Sequence, residues 1–148
     1  MAIYFISDLH IDSNTPRITN GLKVFLDTIA KGADALYILG DLYDAWIGDD
    51  DDCAIANETR AMLKSFVESG VPTYLLHGNR DFLVGERFCT DTGIQLIPDL
   101  HPIELCGRQA LLMHGDTLCI EDHDYQQFRQ TVRNDQWQNQ VLSMALPQ

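Results

Sequence analysis

Asp8 and His10 stand two residues apart at the end of an apolar run, in "IYFISDLH". In extended chain, residues i and i+2 point to the same side. A carboxylate and an imidazole are thereby aimed at one point just past a strand end. That point is either a turn or a place where something needs both groups. The pattern then recurs. "ALYILGD" ends in Gly40 and Asp41, "PTYLLHGNRD" in His77, Gly78, Asn79, Arg80 and Asp81, and "ALLMHGD" in His114, Gly115 and Asp116. Each segment alone suits an ordinary turn. The ordered set, each member following an apolar strand, is far more specific.

Carboxylate, imidazole and amide oxygen without thiolate suit Mn²⁺, Fe²⁺ or Mg²⁺ better than structural zinc. Asp41 can bridge two ions through its two oxygens. Two cations about 4 Å apart can activate water and clamp a phosphoryl group for in-line attack. Gly40, Gly78 and Gly115 at the strand exits allow a sharp turn and a close backbone approach.

Strand ends must be gathered on one edge for this chemistry. "PRITNGLKVFLDTIAKG" places Ile18, Leu22, Phe25, Leu26 and Ile29 at helical spacing, closed by Gly32. "AIANETRAMLKSFVESG" does the same with Ile55, Met62, Leu63 and Phe66, closed by Gly70 and followed by Pro72. Strands alternating with such helices predict a parallel sheet with crossover connections. Open sheets of this kind bind ligands at the carboxyl ends of their strands. "IELCGRQALLMHG" predicts two strands joined around Gly107. A helix is expected from Asp122, which can cap it, with Tyr125, Phe128 and Val132 on one face. Trp137, Val141 and Met144 extend an apolar stripe toward the end at Pro147 and Gln148.

Composition narrows the field. The 148 residues suit one domain, 45% hydrophobic and 22% charged. A formal charge of −12 argues against a broad nucleic-acid surface. It leaves room for a phosphate substrate if divalent cations lie between the two sets of negative charge. "MAIYFISD" meets an acid too early for a signal peptide, and no apolar run reaches membrane-span length. A cytosolic protein is expected. Cys53, Cys89, Cys106 and Cys119 form no CxxC pair, so reduced thiols are expected. Asp49 to Asp52 lack the alternating ligands and glycine of an EF-hand, and are expected to be a solvated acidic loop. His77 is expected to pack or bond locally, and His101 and His123 to lie at the surface. No GxGxxG, GxxxxGK or GxSxG occurs.

The blocks D-x-H, G-D, G-N-R-D and H-G-D resemble those of the calcineurin-like metallophosphoesterases over nearly the whole chain. "ISDLH", "ADALYILGDLYDAWIGDDD", "GVPTYLLHGNRDFLVGERF" and "LLMHGDTLC" are most similar to the UDP-2,3-diacylglucosamine pyrophosphohydrolase branch of that family. The resemblance implies an α/β fold, a β-sandwich of two sheets flanked by helices. It implies a binuclear Mn²⁺ site: Asp8 and His10 on the first ion, Asp41 bridging, Asn79 and His114 on the second. Asp41, Asn79, Arg80 and His114 would be catalytic. Asn79 and Arg80 would contact phosphate, and Asp122 and Tyr125 the glucosamine-phosphate end. It implies a lipid-linked sugar nucleotide as substrate, a monomer, no nucleic-acid partner, and work at the cytoplasmic face of the inner membrane. The family also carries a helical lid and a G-H-x-H block that completes both metal sites, and no H-x-H occurs here. The expectation is a single domain over 1–148, incomplete at its C-terminus, with weakened metal binding and turnover. Two alternatives stay open: a metallophosphoesterase acting on nucleotides or phosphoproteins, and a non-catalytic remnant that binds a phosphate ligand or a partner.

Overall fold

The computed structural model describes residues 1–144. Four strands, β1 (Ile3–Ile6), β2 (Ala35–Ile38), β3 (Thr73–Leu75) and β4 (Gln95–Leu96), form a parallel sheet in sequential order. Three helices link them: α1 (Pro16–Val24), α2 (Ala54–Glu68) and α3 (Glu86–Thr92). A sequential parallel order with right-handed crossovers puts all connecting helices on one face. The main core lies there, where Leu22, Leu26, Leu63, Phe66 and Phe88 meet Leu36, Ile38 and Leu75 from the sheet.

Pro16 opens α1, where its missing N–H costs nothing. The helix runs on through a π-helical turn, Phe25–Ile29, in which the Ala30 amide donates to the Phe25 carbonyl. The extra residue in that turn shifts the stripe by one position. Ala30 is fully buried, while Ile29, expected in the core, is 59% exposed. Along α2 the buried residues are Ala56, Thr59, Leu63 and Phe66, and the Thr59 hydroxyl is satisfied by the Ile55 carbonyl.

The opposite face of the sheet carries a stacked ladder of Phe5, Tyr37 and Tyr74. Beside it, Leu76, Ile97 and Leu112 form a second, smaller core. Leu112 belongs to an antiparallel hairpin, β5 (His101–Leu105) with β6 (Arg108–Leu112). Its two loop residues, Cys106 and Gly107, both have positive φ, as a two-residue hairpin turn requires. The expected α/β architecture is present. Among the described residues the second layer is this hairpin alone.

Two elements differ from expectation. β4 has only two residues and no alternation to announce it; it exists because β3 offers a free edge. The expected single C-terminal helix is two, α4 (His123–Val132) and α5 (Asp135–Leu142). Asn134 breaks it by accepting the Gln136 and Trp137 amides as an N-cap. Trp137 and Val141 pack against the main core, whereas Met144 is exposed. Pro147 and Gln148 lie outside the described residues.

Candidate metal centre

The strand exits of β1, β2 and β3 and the segment after β6 converge on one edge. Asp8, His10 and Asp41 all lie in the left-handed region, with φ of 55°, 48° and 53°. Each such non-glycine residue costs about 1–3 kcal/mol unless its surroundings enforce it. Here bonds between the two exit loops enforce it: Asp8 N–H to the Gly40 carbonyl and His10 N–H to the Asp41 carbonyl, at 3.1 and 3.0 Å. Asp8 and His10 therefore do meet, but extended-chain alternation is not the reason. Two left-handed residues bring them together.

One ligand atom from each of Asp8, His10 and Asp41 lies within 4.8 Å of the other two. His10 Nδ1 donates to Asp44 Oδ1 at 3.2 Å. This leaves the Nε2 lone pair facing Asp41 Oδ2 at 3.5 Å and Asp8 Oδ1 at 3.8 Å. His114 repeats the arrangement from the other side. Its Nδ1 donates to the Leu39 carbonyl at 2.7 Å, and its Nε2 faces Asn79 Oδ1 at 2.9 Å and Asp41 Oδ2 at 3.6 Å. Fixing one imidazole nitrogen so that the other is free to ligate is a recurring feature of metal sites.

Asp41 is the centre of the cluster and only 2% exposed. Its Oδ1 accepts the Arg80 amide at 2.8 Å, so Oδ2 alone faces both imidazoles. Burial pushes the Asp41 carboxyl up, against the pull of the Arg80 amide and the histidines. Asn79 and His114 thus join Asp8, His10 and Asp41 in one group, as the spacing of the motifs predicts.

Two glycines make this approach possible. A Cβ on Gly40 would stand 2.6 Å from the Gly78 nitrogen and 2.7 Å from His114 Nδ1. A Cβ on Gly78 would overlap the Asp41 carboxylate.

Three residues with positioning roles escaped the sequence reading. Asp81 is fully buried and accepts amides from Asp41, Leu42 and Gly78, tying the β2 and β3 exits together. Asp44 holds His10 and also takes Arg80, whose Nε donates to its carbonyl at 2.8 Å. Asp49 was expected in a solvated loop. Instead it accepts Trp46 Nε1 and the Gly85 and Phe88 amides, because it reaches the start of α3. An acid in an acidic run gives no sequence sign of turning inward. His77 does bond locally, donating Nε2 to the Val84 carbonyl, and burial pulls its pKa down.

Asn79 and Arg80 border a cleft of about 440 Å³ shared with Asp44, Phe82, Tyr125 and Phe128. A groove of about 500 Å³ between α1 and α2 shares no residue with the cluster. Tyr125 donates its hydroxyl to Asp116 Oδ2, which also receives Arg129 Nε. Burial would raise the Asp116 carboxyl, but those two bonds outweigh it and hold it low. Asp122 is not among the cleft residues; its Oδ1 caps α4 by accepting the Tyr125 amide.

Residues 1–146 match the family model described as calcineurin-like phosphoesterase. The chain belongs to that family. Its curated relatives include proteins named UDP-2,3-diacylglucosamine hydrolase. That of Enterobacter sp. (strain 638) is 52% identical over 99% of this chain and 60% of its own length. That of Serratia proteamaculans is 51% identical over 99% and 61%. The chain thus spans about three-fifths of these relatives. Among solved structures, the nuclease MPE of Pseudomonas putida superposes with a TM-score of 0.53 at 21% identity, covering 68% of this chain and 49% of that one, a likeness of fold alone. Divalent metal binding follows from membership of the calcineurin-like phosphoesterase family, and the donor set here fits it. Two imidazoles, two carboxylates and an amide oxygen lie at one edge, Asp8, His10 and Asp41 in one compact group and His114 and Asn79 beside Asp41, and a cation would reconcile the close approach of His114 Nε2 to Asn79 Oδ1.

Proposed function

We propose that this phosphoesterase hydrolyses the pyrophosphate bond of UDP-2,3-diacylglucosamine, with 2,3-diacylglucosamine 1-phosphate and UMP as products. The observation that carries the proposal is the convergence of both histidine Nε2 atoms on the single free oxygen of Asp41. Asp8 and His10 would hold one Mn²⁺, Asn79 and His114 a second, and Asp41 Oδ2 both. Bound there, the cations would supply an activated water and charge neutralisation for phosphoryl transfer.

The chain's own residues do the rest. Asp44 and the Leu39 carbonyl keep the imidazoles in the ligating tautomer. Arg80 lines the cleft with its Nε held by the Asp44 carbonyl, and its terminal guanidinium N–H groups could take phosphate oxygens bidentately. Phe82, Tyr125 and Phe128 give the same cleft an apolar wall, which suits a substrate with a charged centre and acyl chains. Asp122 stands at the start of the helix that carries Tyr125, close enough in sequence to meet the sugar phosphate from the rim. The leaving group is itself a phosphate, so little general-acid help is needed. Acyl chains would bring the protein to the cytoplasmic face of the inner membrane as a peripheral monomer. Among the described residues no helix is long and apolar enough to cross a membrane.

Within the described residues each cation would have three protein donors, Asp8, His10 and Asp41 for one and Asn79, His114 and Asp41 for the other. The test is release of UMP from UDP-2,3-diacylglucosamine with Mn²⁺, with EDTA, and beside cyclic nucleotides and phosphopeptides. Mn²⁺-dependent, EDTA-sensitive UMP release is expected. Turnover of a cyclic nucleotide or phosphopeptide with none of the lipid would reject the substrate.

A further inference from the structure

Arg133, at the C-terminus of α4, donates from its guanidinium to the Gly78 carbonyl at 2.7 Å. The same guanidinium lies 5.7 Å from the centroid of the Phe82 ring. One turn earlier, Arg129 pairs with Asp99 and Asp116, both at 2.9 Å. Among the described residues Arg133 has no carboxylate within ion-pair distance. A half-buried cation without an ion pair is costly to hold, so its seat calls for an explanation. The seat is also at an unusual place. Gly78 is pressed against Asp41, its amide is held by Asp81, and its carbonyl belongs to the peptide bond that leads into Asn79. Arg133 and Asp81 thus grip this glycine from both sides.

We infer that Arg133 is a positioning residue for the second metal: by fixing the Gly78–Asn79 peptide it sets the Asn79 amide oxygen against His114 Nε2. The inference rests on the metal-centre reading above. Its consequence runs against simple electrostatics. A cation close to two dications disfavours their binding, so deleting it for charge reasons alone would tighten Mn²⁺. Losing a positioning contact weakens it, and only on the Asn79 side. The first half-site, Asp8 and His10, is held by bonds between the β1 and β2 exits that Arg133 does not touch.

The experiment reads each half-site alone. Mn²⁺ affinity is measured by calorimetry and by the electron paramagnetic resonance signal of bound ion. A His10→Ala background keeps the Asn79–His114 side, and a His114→Ala background keeps the Asp8–His10 side. Arg133→Met is expected to weaken Mn²⁺ about tenfold in the first background, about 1.4 kcal/mol, and to leave the second unchanged. Arg133→Lys, which retains the charge and one donor, is expected between wild type and Met. Equal losses in both backgrounds would mean general loosening and would overturn the inference, as would tighter binding. If Arg133→Met loses its near-ultraviolet circular dichroism, Arg133→Lys is read alone by the same rule. Mn²⁺ bound in both parent backgrounds with no effect of either variant overturns this role only. No Mn²⁺ bound in either background overturns the metal centre itself, and this inference with it.

Discussion

Asp41 shows how one carboxylate can set the properties of a whole site. Its Oδ1 accepts the Arg80 amide, and its Oδ2 faces the imidazoles of both His10 and His114, so in the proposed centre it would serve both ions. Asp41→Ala removes a donor from each, and elemental analysis of the purified variant should find Mn²⁺ at neither position. Retention of one full equivalent would reject the bridge. Asp44 acts one step further out, through the Nδ1 of His10. Partners of this kind are worth about 10–100-fold in metal affinity. Asp44→Ala should weaken Mn²⁺ by that factor; it removes the carboxylate that lies 3.5 Å from Arg80 Nη2 and leaves the main-chain carbonyl that holds Arg80 Nε. Neither role could be read beforehand. Asp44 sits in a stretch of acids and aromatics, and nothing in "GDLYDAW" tells which acid faces an imidazole.

At the scale of elements, the exits of β2 and β3 approach so closely that side chains are excluded. Gly78→Ala would drive a methyl group into Asp41, whereas a Cβ on Gly115 meets open space. Overpacking of this kind costs about 1–3 kcal/mol. Urea unfolding should therefore show a larger loss for Gly78→Ala than for Gly115→Ala, whose cost is backbone strain alone. His77 contributes a pH dependence from the same loop. Burial lowers its folded pKa below 6.5, so the unfolded chain binds the proton more readily. Stability should fall as pH drops from 6.5 toward the folded pKa, and be level in this respect above 6.5. His77→Gln should flatten that part of the urea-midpoint profile; an unchanged slope would reject the assignment. The helices were legible because burying one face imposes a 3.6-residue period, but the π turn after α1 moved the register. β4 was illegible because two residues carry no period, and only the vacant edge of β3 makes them a strand.

For the molecule as a whole, the centre ties together four segments distant in sequence. Two of its loops hold left-handed non-glycine residues, and the carboxylates of Asp8 and Asp41 are gathered with His10 at one edge. A ligand that binds only this assembled state stabilises it by mass action, by about 2.7 kcal/mol at a hundredfold excess over Kd. Mn²⁺ should raise the melting temperature and EDTA should reverse the rise. A melting temperature indifferent to both would show that the edge does not hold metal in this chain.

The sequence by itself determined which residue types stand at the strand ends, and in what order. Those choices follow from local rules: apolar alternation builds the strands, glycine permits the turns, and hard donors choose hard cations. It also determined the α/β order, and its resemblance to the calcineurin-like family pointed to Asp8, His10, Asp41, Asn79 and His114. Tertiary structure alone decided how they meet. The left-handed turns at Asp8, His10 and Asp41, the burial of Asp81 and the inward reach of Asp49 and Arg133 each depend on a partner tens of residues away. Long-range hydrogen bonds have no period along the chain, and for that reason no local pattern announces them.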